Sequence, residues 1–154
     1  MNRSAAREET FKLLYSLEVQ KKEEIQEQVE LYLESQNITN KESKEYISST
    51  VLGIEKNIDT IKEDITKNLK SGWTIERISK VDLALLKLAI YEILFTDTPY
   101  KVAINEVVEL SKKYSEDGSS NFINGVLASI VKENEESEVK RNDVMAPKVA
   151  LKVA

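Results

Sequence analysis

Pro99-Tyr-Lys-Val-Ala-Ile-Asn-Glu-Val-Val-Glu-Leu-Ser-Lys-Lys-Tyr114 and, close behind it, Asn121-Phe-Ile-Asn-Gly-Val-Leu127 are the stretches whose reading decides the fold. Both read as amphipathic helices. In the second, Phe122, Ile123, Val126, Leu127, Ile130 and Val131 recur at helical spacing. Val102, Val107, Val126 and Leu127 are expected in a buried core. Asn105 and the pair Asn124-Gly125 are unusual inside such patterns. Asn-Gly commonly marks a turn, but these apolar neighbours keep it helical, so Gly125 reads as a site of close helix packing.

Working outward, the 154 residues suit one domain or two small subdomains sharing a core. Only 4 Gly and 2 Pro are present, too few for a fold built on many tight turns, which favours an all-α chain. No apolar run approaches the roughly 18 residues of a membrane span. The charged start, with Arg3, Arg7, Glu8 and Glu9, lacks the apolar segment of a signal peptide, so a cytoplasmic protein is expected. There is no Cys and no His. Soft-ligand zinc sites are thereby excluded, and the side chain best suited to proton transfer near neutrality is missing. Carboxylate chemistry stays open, but the acids are spread over helix faces and no phosphate-cradling glycine loop appears. The composition therefore points away from an enzyme, and no metal or cofactor is expected. Net charge is −5, which argues against nonspecific nucleic-acid binding. Residues 1–22 nevertheless hold five basic side chains against three acidic ones, whereas 23–70 hold 11 acids and 6 bases.

Patterning and capping residues predict helices near Ser4–Gln20, Lys22–Glu34 and Lys41–Leu69, the last carrying Ile47, Val51, Ile54, Ile58, Ile61 and Ile65. Gly53 within it suggests close packing or a bend. Ser71-Gly72 breaks the pattern, and Thr74 can cap a short helix through Ile78. Ser79-Lys-Val-Asp82 resembles a capping box with Asp in place of Glu. Val81–Phe95 is nearly continuous apolar sequence and must lie at the centre of its domain. Helices over Lys101–Tyr114 and Ser120–Lys132 complete the set, with Ser119 or Ser120 as the final cap. Pro147 and the absence of a clear period make 135–154 a flexible tail.

Three groups of residues stand out. Arg3, Arg7 and Lys12 fit a phosphate clamp, since arginine binds phosphate bidentately, and equally an ordinary solvated helix start. Phe122 fits a core anchor or a platform for an unstacked base. Trp73, between apolar stripes, fits packing between subdomains.

The ordered pattern Arg7-Glu8, Leu14-Tyr15, Gly72-Trp73, Arg77-Ile78, Val81-Asp82, Leu85-Leu86-Lys87-Leu88-Ala89, Tyr91-Glu92, Pro99 to Glu106 and Phe122-Ile-Asn-Gly-Val126 resembles the NusB family of bacterial transcription antitermination factors. The resemblance covers about residues 3–134 and is most specific in the C-terminal half. It implies an all-α fold of about seven helices, in two small helical subdomains (1–70 and 71–134) sharing a core. It implies binding to single-stranded boxA RNA of ribosomal RNA transcripts together with NusE, a small-subunit ribosomal protein, within the RNA polymerase antitermination complex. On this resemblance RNA would be held by Arg3, Arg7 and Lys12 and by Gly118, Ser119, Ser120, Asn121 and Phe122. Trp73, Arg77 and Asp82 would face NusE. Ser4 and Ala5 interrupt the arginine run that many members have, and Asn stands at 121 where Lys would hold phosphate. NusB-like domains also precede catalytic domains in RNA cytosine methyltransferases. The chain ends after the helical unit, so the alternative expectation is an accessory module for RNA modification without RNA specificity of its own.

Overall fold

The fold is described from a computed structural model, which covers residues 1–21 and 23–144. Among these residues there are seven α-helices, one 3-10 turn and no strand. The helices are α1 (Arg3–Gln20), α2 (Ile25–Ser35), α3 (Lys41–Lys56), α4 (Ile58–Lys67), α5 (Lys80–Phe95), α6 (Tyr100–Tyr114) and α7 (Ser119–Val144), with the 3-10 turn at Ile75–Arg77.

The count agrees with the expected fold, but its composition differs. The long helix predicted over 41–69 is two. Asn57 (φ −108°, ψ 21°) ends α3; its amide reaches back to the carbonyls of Gly53 and Ile54, and its side chain donates to Gly53 O at 2.8 Å. The isoleucine stripe runs through the break, with Ile47, Val51, Ile54, Ile61 and Ile65 all buried. Periodicity therefore could not reveal the break, because both segments bury the same stripe. Gly53 is a close-approach site: a Cβ there would lie 2.2 Å from the Tyr91 hydroxyl. At the start of the chain Asn2 is the cap, accepting from Ala5 N at 2.8 Å, in place of Ser4. α2 begins three residues later than predicted, after Glu24 in a left-handed conformation (φ 54°). α7 continues through 135–144, where a tail was expected, and the rest of that segment lies outside the described residues.

α5 is the centre, as its sequence requires. Leu85, Leu86, Leu88, Ala89, Ile90 and Ile93 are fully buried, and α1, α3, α4, α6 and α7 all pack against it. Three of its charged residues, Asp82, Lys87 and Glu92, are buried as well. Lys87 pairs with Glu18 of α1, and Glu92 accepts from Arg7 of α1 at 2.8 Å. Each helix supplies one charge of each sign, so sliding or reversing α1 on α5 would leave buried charges unpaired at a cost of about 3–5 kcal/mol each. One apolar cluster runs from Ala6 to Val131.

Candidate nucleic-acid interface

The α1 arginines separate into two roles. Arg3 is exposed, and its guanidinium lies over the Tyr46 ring, 4.3 Å from the centroid. The cleft beside it, about 420 Å³, is lined by Glu42, Glu45 and Glu92, so an anion would meet Arg3 from the outer side. Arg7 is only 5% exposed. Its Nε donates to Glu92 and its Nη1 to Glu106 at 3.0 Å. Burial alone would disfavour its charge, but the two carboxylates more than offset this and hold its pKa above the ordinary arginine value. Arg7 thus anchors the first turns of α1 to α5 and α6, and its guanidinium is not presented to solvent. The Tyr46 hydroxyl is buried with no hydrogen bond of good geometry. Burial and the Glu92 charge push its pKa up.

Next to Arg7 on α1, Glu8 accepts from Lys113 Nζ at 2.7 Å and from the Tyr114 hydroxyl. The Lys113 hydrogen bond, then that of Tyr114, hold the Glu8 carboxyl below its usual range, with a smaller contribution from nearby Lys12. Lys12 and Lys113 keep 42% and 62% of their side chains exposed. Lys113 is a cation of this face that the sequence reading did not select. Its place beside α1 depends on how α6 packs, which no local pattern encodes.

The α6–α7 connection is organised from beneath by Asp82. Its amide donates to Ser79 Oγ at 3.1 Å, the first half of the expected capping box. Its carboxylate, 7% exposed, instead accepts from Ser115 Oγ at 2.7 Å and Ser119 Oγ at 2.9 Å. Asp82, expected to face a partner, is therefore an internal tie. Ser119 is buried, and Ser120 shares a hydrogen bond with Ser111 at 2.8 Å, so these two hydroxyls also serve the fold. What this loop presents outward is the acids Glu116 and Asp117, Gly118 at φ +91°, Asn121 and half-buried Phe122. Trp73 does not lie between subdomains as a packed side chain. It is 45% exposed and adjoins Phe122, with ring centroids 6.1 Å apart.

The polar residues of the two stretches quoted at the outset also find a place. Asn105 and Asn124 line a shallow groove of about 480 Å³ between α6 and α7, with Lys101 and Lys132. Gly125 is exposed and a Cβ on it would meet nothing within 4 Å, so it does not serve close packing. Val102, expected in the core, is 42% exposed; Ala103 and Val107 are the fully buried residues of that face. Among the described residues no cluster of metal-binding side chains occurs and no helix is long and apolar enough to cross a membrane.

A family model for the NusB family matches residues 4–132. The chain belongs to the NusB family. It is 41% identical over 145 residues to the transcription antitermination protein NusB of Ruminiclostridium cellulolyticum, covering 94% of this chain and 98% of that protein. It is 49% identical over 133 residues to NusB of Acetivibrio thermocellus, covering 86% and 90%. Among solved structures, T. maritima NusB superposes with a TM-score of 0.79 at 34% identity, over 90% of this chain and 98% of that one. A chain in the crystal structure of antitermination factors NusB and NusE in complex with dsRNA superposes with a TM-score of 0.77 at 30% identity, over 85% and 96%. The NusB assignment accounts for the expected fold class and for the α5-centred core described above.

Proposed function

We propose that this chain is a non-catalytic, cytoplasmic transcription antitermination factor of bacteria. It binds single-stranded boxA RNA of ribosomal RNA transcripts together with NusE and joins the RNA polymerase antitermination complex. The similarity to a NusB chain solved with NusE and dsRNA, over most of both chains, is the observation that supports the NusE and RNA parts of this reading most directly. The geometry agrees with it. Arg3 and Lys12 of α1 and Lys113 at the end of α6 offer cations, and the α7 start adds Asn121 and Phe122. Arg7 and Asp82 hold these elements in position from within. With so few cations, two of them already paired with Glu8 and Glu9, RNA affinity depends on the protein partner.

Fluorescence anisotropy with labelled boxA RNA tests the proposal, in single-stranded and duplex form, with and without NusE. Tight binding of the single strand only when NusE is present is the expected result. Equal affinity with and without NusE would remove the cooperative part, and no binding in any arm would remove the RNA-binding reading.

A further inference from the structure

Of the three cations offered to RNA, Lys12 pairs with Glu9 and Lys113 with Glu8. Arg3 forms no ion pair among the described residues, although carboxylates stand close by. Glu42 lines both clefts beside it, of about 250 and 420 Å³, and Glu45 lines the larger one. An exposed arginine next to two glutamates gains by pairing with one of them. Its partner is instead Tyr46 of α3, whose ring centroid lies 4.3 Å from the guanidinium carbon.

The two kinds of contact use different parts of the guanidinium. Stacking uses its flat face. Pairing with a carboxylate uses the N–H edge, the same edge that grips a phosphate bidentately. A stacked Arg3 keeps that edge open to an anion, whereas Arg3 paired with Glu42 or Glu45 would not. An exposed ion pair is worth no more than a cation–π contact, so the ring can decide between them. The ring is a fixed surface. Tyr46 is half-buried against the core, and the buried Arg7 guanidinium, held by Glu92 and Glu106, lies 6.0 Å from the same centroid. The enclosed hydroxyl has no hydrogen bond of good geometry, so the ring is what this residue contributes.

We propose that Tyr46 is a positioning residue for RNA binding: its ring holds Arg3 away from Glu42 and Glu45, with the N–H edge free for a phosphate. This rests on the RNA-binding reading above and adds α3 to the elements that set the affinity, without assigning it a contact to RNA.

The test uses the full chain with NusE and follows the anisotropy of labelled single-stranded boxA RNA. Tyr46→Leu should weaken binding by about 2- to 5-fold, the gain in competent Arg3 that one exposed cation–π contact secures, whereas Y46F should bind like the wild type. In an Arg3→Ala background Tyr46→Leu should have no further effect. With Glu42→Gln and Glu45→Gln in place, it should cost less than in the wild-type background. In NMR spectra the Arg3 side-chain signals should carry a ring-current shift in the wild type and Y46F, kept when RNA binds. Equal losses with and without Arg3 would make Tyr46 a packing residue and overturn the proposal. So would full affinity in Y46L, or a loss in Y46F as large as in Y46L. Arg3 signals without a ring-current shift would also overturn it, a result that stands even if Tyr46→Leu does not fold. No anisotropy change in the wild-type chain would overturn the RNA-binding reading itself.

Discussion

Gly53 and Gly125 both sit inside helices, and the same substitution has opposite expected effects at the two positions. Gly53→Ala drives a methyl group into Tyr91, whose ring is stacked on Phe95 with centroids 5.6 Å apart and cannot swing away freely. A loss of about 1–3 kcal/mol is expected from such overpacking, shrinking in a Tyr91→Leu background. Gly125→Ala meets open space and should raise stability by about 1 kcal/mol through helix propensity alone. Urea denaturation of the variants measures both. Arg7 is a third residue whose role is decided by burial. Arg7→Ala leaves Glu92, 1% exposed, without its main counter-charge, and a loss of about 3–5 kcal/mol is expected by the same measurement. The two glycines read alike in sequence, as did Arg3 and Arg7, because local context does not say what lies across the helix.

At the scale of elements, α5 was legible and the joints around it were not. An almost unbroken apolar run over Val81–Phe95 reads as a helix covered on nearly all sides, and of that run only Phe95, at its end, is exposed. The Asn57 break escaped because both halves keep one stripe inward. The role of Asp82 escaped because its partners Ser115 and Ser119 are more than thirty residues away. That tie is testable. Asp82→Ala frees two hydroxyls and loosens the α6–α7 connection, so amide hydrogen exchange should accelerate over 115–122 while the centre of α5 stays protected. Unchanged exchange in that loop would show that packing of Phe122 and Ile123 suffices to hold it.

Over the whole molecule, α5 sets the spacing of the candidate interface. Arg7 is tied at Glu92 and the α7 start at Asp82, so the two edges are separated by ten residues of helix, about 15 Å. The sequence reading grouped Arg3, Arg7 and Lys12 with Gly118, Ser119, Ser120, Asn121 and Phe122; the fold buries Arg7 and brings Lys113 of α6 to Glu8, near Lys12. If three cations contact phosphates, log K against log salt should slope near −2 for a single strand, about 0.7 per contact. Arg3→Ala should reduce that slope by about 0.7. Arg7→Ala, compared under conditions where it is folded, should leave the slope nearly unchanged because its guanidinium is not offered to RNA.

The sequence by itself determined the helical class, the central helix and the family, since these rest on hydrophobic period, capping residues and contiguous motifs. It could not separate the exposed arginine from the buried one, nor turn Asp82 inward, nor bring Trp73 against Phe122. Those depend on contacts between residues dozens of positions apart, and only the packing of α1, α6 and α7 on α5 creates them. The quoted stretches show the division well: their apolar residues specify the scaffold, while the use of Asn121 and Phe122 depends on what the fold places beside them.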